Sequence, residues 1–418
     1  MAREFIARLG VFIEGARQRG LIKTVGRRLL SMVGGLCVWV LLLPATLILH
    51  GLGYRRVTVI TGRIGHLAAE VDCFLKAQAL GELPHRKWFL LAPPRQVANA
   101  HLMSYWRARL PVVTNRFACA LLGAMSRWVL LRYNISHYVL QLRATQDIYR
   151  LNAQWGGRPP LLALTVQDRA WSEAAQRELG IPDGKWFVCV HVREAGFSPG
   201  DEAAHAHRNG DPRALLSAVA EIVGRGGWCV RMGDPSMSRM SDIPGLVDYA
   251  HHPLRSPRLD IVLCARARFF LGNSSGLALV SSVFGVPSVL VNMIPLSALA
   301  PLPMDLSIQK LLRADHDGRL LRFDEILGSP AGDFRYAKLY SDAGLTPVEN
   351  DAEDILAVVR EMLDRIDGRF EGTPEDQLLQ QRFRQLLRPG HYAYGAASRI
   401  GAAYLRRYRD LLGPVGPG

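Results

Sequence analysis

Cysteine is scarce in this 418-residue sequence: there are six, at positions 37, 73, 119, 189, 229 and 264, and no two form a CxxC pair. That spacing argues against a disulfide framework and against a cysteine-built zinc site. Three of them fall in apolar runs (Phe187 to Val190, Trp228 to Val230, Ile261 to Cys264), where free thiols in a reducing compartment are buried. Internal repeats and low-complexity tracts are missing, which excludes a solenoid and a disordered chain. No nucleic-acid-binding module and no aromatic-interleaved basic stripe is present, so a net charge of +14 does not point to DNA or RNA. Hydrophobic residues make up 49%, enough apolar chain for a large core.

Acidic residues are nearly missing at the N-terminal end. Residues 1–56 carry Arg3, Arg8, Arg17, Arg19, Lys23, Arg27, Arg28, Arg55 and Arg56 against only Glu4 and Glu14. Between these basic flanks the stretch Leu29 to Tyr54 is uncharged, and Leu29–Leu49 has about the ~20 residues that a spanning helix needs. Basic flanks around an apolar run suit an anionic membrane. A cleaved signal peptide fits poorly, because the basic lead-in is long and no small-x-small site follows. A single span, and a re-entrant or surface-lying helix broken near Pro44, both remain open. Reduced thiols favour the cytoplasmic face of the membrane.

The length implies two α/β domains plus an appended segment. After the membrane-associated segment 1–55, the β-branched run Val57 to Ile60 meets a glycine turn, Thr61 to His66, and then helical spacing from Leu67 to Leu80. That is strand, glycine turn, helix, the opening unit of a Rossmann-like domain, here 56–180. Trp88 to Ala92, Val112-Val113 and Tyr138 to Leu142 are further strand candidates. A second array, 181–370, alternates strands (Trp186 to Val192, Trp228 to Met232, Arg268 to Leu271, Val286 to Asn292) with helices (Pro212 to Val223, Asp260 to Ala267, Leu277 to Phe284), as a mostly parallel sheet requires. The segment containing Lys310 reads as a helix following Asp305. Asn350/Asp351 caps a helix from Ala352 to Ile366. Helices near Gln377 to Leu387 and Ala396 to Leu412 form the C-terminal segment, 371–418.

The strongest chemical signal is Phe269-Phe270-Leu271-Gly272-Asn273-Ser274-Ser275-Gly276-Leu277. A strand ends in small polar residues and a helix begins at once, so the helix's free N–H groups and its dipole point into the crevice at the strand ends. That geometry suits a diphosphate. Asp315-His316-Asp317 matches the DxD of metal-dependent GT-A enzymes only superficially, since it precedes Gly318 and reads as a turn. His191, His205 and His207 lack a cysteine or carboxylate at ligand spacing, so no metal is expected.

Several stretches together resemble a bacterial glycosyltransferase family associated with surface-polysaccharide synthesis. They are His191-Val192-Arg193-Glu194, His207-Arg208-Asn209, Val230-Arg231-Met232-Gly233-Asp234 and the block Asp260–Pro295. Gly62–Glu70, Met304–Leu312 and Val348–Ile355 also look like that family. The series runs in this order from Val57 to Arg369. The H-x-R strand end is similar, more distantly, to fucosyltransferases. The resemblance implies a GT-B-like α/β fold, two Rossmann-like domains facing a crevice, and sugar transfer from a nucleotide-sugar donor to a saccharide or lipid-linked saccharide acceptor.

In that frame Arg193 and Arg231 end strands where a leaving β-phosphate would sit. His207, Arg208 and Asn209 would lie over the donor, beside Gly233, Asp234 and the Asn273, Ser274, Ser275, Gly276 turn, with Lys310 reaching the phosphates. Ion pairs of Arg193 or Arg231 with Glu194 or Asp234 are the plain alternative. His66 is a candidate base for the acceptor hydroxyl, with Glu194 and Asp234 as rivals. The helix Leu277 to Phe284 lacks the glutamate with which many GT-B donor helices bind ribose. Two other functions remain open: a nucleotide-sugar 2-epimerase, whose turn the GNSSG resembles, and a non-catalytic membrane-bound scaffold.

Overall fold

A computed structural model describes residue 37 and residues 40–134, 142–196, 199–240 and 242–414. In chain order the elements are α1 (Leu43–Gly51), β1 (Tyr54–Thr58), α2 (Ile64–Ala79), β2 (Lys87–Leu91), α3 (Ala100–Arg107), β3 (Val112–Val113), α4 (Arg116–Met125), β4 (Arg132–Asn134), α5 (Leu142–Trp155) and α6 (Val166–Glu178). There follow β5 (Phe187–His191), α7 (Pro199–His205), α8 (Leu216–Gly224), β6 (Trp228–Arg231), β7 (Leu246–Val247), α9 (Pro257–Arg266), β8 (Phe270–Gly272), α10 (Gly276–Val283) and β9 (Ser288–Met293). The chain closes with β10 (Leu306–Gln309), β11 (Leu311–Ala314), α11 (Phe323–Leu327), α12 (Ala337–Asp342), β12 (Leu345–Val348), α13 (Ala352–Ile366), α14 (Pro374–Leu386), β13 (Arg399–Ile400) and α15 (Ala402–Arg407).

These elements gather into two units, each assembled from separate stretches of chain. The first takes the described residues up to Thr58 with His85–Arg95 and Leu110–Asn134; the second takes Val59–Pro84, Gln96–Arg109 and the chain from Ile135 onward. In the first unit β3-β2-β1-β4 form a parallel sheet. A small core of Phe89 and Leu91 from β2 and Cys119 from α4 backs it, with Val113 and Leu122 against it. Asn115 starts α4: its Oδ1 accepts the N–H groups of Phe117 and Ala118.

The second unit is built on a seven-stranded, wholly parallel sheet in the order β13-β10-β9-β8-β5-β6-β7. Every residue of β5, β8 and β9 is buried, the pattern of strands covered on both faces. The order places a switch point between β5 and β8. The chain runs outward from β5 through β6 and β7, then returns to the other side of β5 and runs outward again through β8, β9 and β10. Ligands of open α/β sheets bind outside the strand ends at such a point. Helix α2 packs on α10 and α5 in this unit. The large core brings together β5, β8, β9, β10 and α13, the last begun by Asp351, whose side chain accepts the Asp354 N–H.

Two sequence expectations need correction. Lys310 lies between strands β10 and β11, not on a helix. All four residues of β10 are buried, and its polar members find partners there: Ser307 Oγ accepts the Ala300 N–H, and Gln309 Nε2 donates to the carbonyls of Leu296 and Ala298. The stretch 396–412 is not one helix. Arg399–Ile400 adds a strand to the edge of β10, and Gly401 follows where a Cβ would stand 3.1 Å from both Ile308 and Val358. Among the described residues no helix is long and apolar enough to cross a membrane. The first part of Leu29–Leu49 lies outside the described residues, as do residues 138–141 of the expected strand. Asp315-His316-Asp317 is a turn after β11. The six cysteines are free thiols, all buried except Cys37.

Candidate functional site

The loop after β8 and the loop after β5 meet at the switch point. Asn273, 1% exposed, joins them: its Oδ1 accepts the Arg193 N–H at 2.9 Å, and its Nδ2 donates to the Arg208 carbonyl at 2.9 Å. Both ends of this amide are therefore spent on fixing the backbone. Ser275 is spent as well, as the N-cap of α10, where its hydroxyl accepts the Ala278 N–H. The groups left to meet an anion here are the first-turn N–H groups of α10, which no carbonyl of their own helix can accept from.

Three cations join this network, and one of them, Arg208, bonds the turn itself. The Arg208 Nη2 donates to the Ser274 carbonyl at 2.6 Å and its hydroxyl at 3.3 Å. Arg193 Nε donates to Asn209 Oδ1 at 3.1 Å, with Glu202 at 3.9 Å, and Asn209 Nδ2 donates to Glu202 at 2.5 Å. Lys310 Nζ donates to the Asn209 carbonyl at 2.7 Å, and Glu349 stands 3.5 Å away. Burial lowers the Lys310 pKa, opposed by Glu349. The expected residues Arg193, Arg208, Asn209, Asn273, Ser274 and Lys310 thus form one hydrogen-bonded cluster, with Ser275 and Gly276 adjoining it.

His207 is buried beside this cluster, its ring 5.3 Å from that of Tyr340, and neither ring nitrogen has a hydrogen-bond partner. Burial, with the positive charges of Arg208, His205, Lys310 and Arg193, pushes its pKa down to about 3. The ring is neutral at any physiological pH.

Arg231 and Glu194 form a separate pair. Arg231 is 2% exposed and donates to Glu194 at 2.5 Å and to Asp248 at 3.1 Å. Glu194 also accepts the Ser238 N–H at 3.0 Å and its hydroxyl at 2.6 Å. Burial opposes ionisation of Asp248, but hydrogen bonds from Met240, His251 and Arg231 hold its pKa below the usual carboxylate range. Gly233 and Asp234 lie on the turn after β6. Gly233 has φ +144°, and a Cβ there would stand 2.2 Å from Met237 Sδ; Asp234 Oδ1 accepts the Ser236 N–H at 2.8 Å. This side of the site is an ion-pair network closed on itself.

His66 sits in the first turn of α2, which packs on α10 through a glycine-to-glycine contact. A Cβ on Gly65 would lie 2.8 Å from the Gly276 Cα, so the two helix N-termini meet backbone to backbone. His66 Nδ1 is 2.7 Å from Glu70 Oε1. Glu70 is fully buried, and its other oxygen accepts the Ile60 N–H at 2.9 Å. An ionised Glu70 places the ring proton on Nδ1 and the lone pair on Nε2. Sequence reasoning missed Glu70, although its i,i+4 spacing from His66 on a helix was visible. It also missed Glu202, seven positions from Asn209, and Asp248 and Glu349, which lie further along the chain from Arg231 and Lys310.

No family model matches the sequence, and neither does any curated protein. Among solved structures the chain is similar to glycosyltransferases. One is a family 9 glycosyl transferase from Veillonella parvula, 14% identical over 57% of this chain and 80% of that one, with a TM-score of 0.36. A second is the Escherichia coli ADP-heptose lipopolysaccharide heptosyltransferase II, 15% identical over 56% and 84%, TM-score 0.32. A third is the glycosyltransferase SnogD from Streptomyces nogalater, 12% identical over 86% and 100%, TM-score 0.28.

Proposed function

We propose that this chain is a GT-B-like glycosyltransferase that moves a sugar from a nucleotide-diphosphate donor to a saccharide acceptor. The observation that supports it most is the switch point itself: one α10 N-terminus and three cations, Arg193, Arg208 and Lys310, gathered outside adjacent parallel strands. In this reading the donor diphosphate lies on the first turn of α10. Sugar transfer breaks the bond between the anomeric carbon and the β-phosphate oxygen, and negative charge builds on that oxygen. Helix N–H groups and fixed cations aimed there stabilise it, in the role that a divalent metal has in other transferases. Arg193 stands near Glu202 and Lys310 near Glu349, so in this reading donor binding exchanges carboxylate partners for phosphate ones.

His66 is the base in this proposal. With Nδ1 held by Glu70, Nε2 takes the acceptor hydroxyl proton as the oxygen attacks the anomeric carbon. Glu194 carries Arg231 and Ser238 and is the weaker candidate. The acceptor in this reading is lipid-linked and the chain works at the cytoplasmic face of a membrane, as the basic, apolar N-terminal segment suggests.

The test is release of nucleoside diphosphate from a panel of UDP-, GDP-, ADP- and dTDP-sugars, with and without lipid-linked saccharide acceptors. Acceptor-dependent release from one donor, abolished in His66→Ala, supports the proposal. Conversion of a free UDP-sugar with no acceptor makes the chain an epimerase instead. Nucleotide binding with no turnover of any donor leaves a scaffold.

A further inference from the structure

The described residues of the first unit contain no aspartate and no glutamate. They carry Arg55, Arg56, Arg86, Lys87, Arg95, Arg116, Arg127 and Arg132, in a chain that holds 37 acidic residues in all. All but Arg55 and Arg56 are exposed. Burial and mutual repulsion lower the pKa of two of these guanidiniums, Arg55 facing Arg86 and Arg56 facing Arg132. The Arg56 Nε is buried with no hydrogen-bond partner. Among the described residues of this unit the positive charge has no acidic side chain to offset it.

The same unit exposes large apolar side chains. Phe117 is 87% exposed and Leu121 51% exposed, one helical turn apart on α4, on the side away from Cys119 and Leu122, which face the small core. On and before α1, Leu41, Leu47 and Ile48 are exposed too, and the helix buries only Thr46. Leu130, 41% exposed, joins them: α1 packs against its segment, and His50 Nδ1 hydrogen-bonds the Leu130 carbonyl at 2.9 Å. Helix α1 also touches α4. A cluster of exposed apolar groups of this kind marks an interaction surface.

We infer that this face of the first unit docks on an anionic lipid surface, with Phe117, Leu121 and the α1 side chains entering the acyl boundary and the arginines meeting headgroup phosphates. Charge and apolarity together select the occupant. A nucleic acid would satisfy the cations and leave Phe117 and Leu41 in water, whereas a neutral protein groove would do the reverse. An anionic bilayer surface takes both. The nine residues of α1 extend ~13 Å at 1.5 Å per residue, against a hydrocarbon core of about 30 Å, so α1 by itself does not cross a bilayer. The inference does not rest on sugar transfer, because binding is read here without turnover.

The experiment uses the full chain with Cys37→Ser and Phe117→Cys, the new thiol carrying an environment-sensitive fluorophore. Vesicles of phosphatidylglycerol and phosphatidylcholine should shift its emission to the blue, and vesicles of phosphatidylcholine alone should not. Adding Arg86→Ser, Lys87→Ser and Arg116→Ser should raise the lipid concentration needed by about five-fold per cation, on the order of a hundred-fold together. Three results overturn the inference. The chain sediments with anionic vesicles while the probe stays unmoved, so that another segment anchors it. The probe shifts equally on neutral vesicles. Or it shifts without lipid as protein concentration rises, which makes the face a contact between copies of the chain.

Discussion

Replacing Gly276 by alanine places a methyl group 2.7 Å from Ile64 Cγ2, 2.9 Å from the Gly65 nitrogen and 3.4 Å from the Gly65 Cα. The isoleucine methyl can rotate away. The Gly65 backbone, inside the first turn of α2, cannot. Gly65→Ala meets the mirror problem, with the Gly276 Cα at 2.8 Å. Overpacking of this kind costs about 1–3 kcal/mol. In a first turn alanine recovers only about half of the ~1 kcal/mol of helix propensity it has over glycine in a helix interior, so each single variant should lose about 0.5–2.5 kcal/mol net. Relief comes only by parting α2 from α10. Once one methyl has opened the crossing, the second enters space already made, so the double variant should lose less than the sum. Urea denaturation of the wild type, both singles and the double measures this. Gly123→Ala is the control: its nearest neighbour is Leu91 Cδ1 at 3.9 Å, and it should be neutral or gain up to ~1 kcal/mol. Singles indistinguishable from wild type, or costs that simply add, would refute the backbone-to-backbone crossing that sets His66 beside the α10 turn.

Other expectations follow from the same site. Glu70→Gln keeps an oxygen for the Ile60 N–H but turns an N–H toward His66 Nδ1, so the ring proton moves to Nε2 and the base is lost. Turnover should fall by about 10²–10⁴-fold with nucleotide affinity unchanged, and equal losses in both would point to a structural role alone. Asn273→Ala removes the partners of the Arg193 N–H and the Arg208 carbonyl, so nucleotide affinity should drop although no phosphate contact is deleted; unchanged affinity contradicts the bridging role. His207 titrates near pH 3 in the folded chain and near 6.5 when unfolded, so its contribution is present above about 6.5 and is lost as pH falls toward 3. The wild type should therefore lose stability between pH 6.5 and 4.5 by up to ~1.4 kcal/mol per pH unit more than His207→Phe, as compared in chemical denaturation; equal slopes exclude a buried neutral ring.

How far the sequence reached depends on the range of the interaction involved. The β8 turn and α10 were legible because strand, small polar residues and cap are contiguous from Phe270 to Val283. The cluster of Arg193, Arg208, Asn209 and Lys310 was legible as a set of residues but not as a geometry, since Lys310 reaches Asn209 across 101 positions. Its helical assignment failed because Ser307 and Gln309 look like solvent-facing residues. Their partners, Ala300, Leu296 and Ala298, make them core residues of β10. Arg231 is the converse case. Its ion pair with Glu194 was foreseen as the plain alternative, and the burial that closes the pair needs Asp248, a residue that no local pattern links to it.

The central claim is that the α10 turn and the cations after β5 hold a nucleoside diphosphate. The most direct measurement is calorimetric titration of the chain with GDP, UDP, ADP and dTDP, with the monophosphate CMP as control, alongside Arg193→Ala. The account predicts that one diphosphate binds, that CMP binds far more weakly, and that Arg193→Ala weakens the diphosphate by about 10–150-fold, as the loss of one charge-assisted hydrogen-bonding group does. Failure of every diphosphate to bind, or undiminished binding in Arg193→Ala, contradicts it.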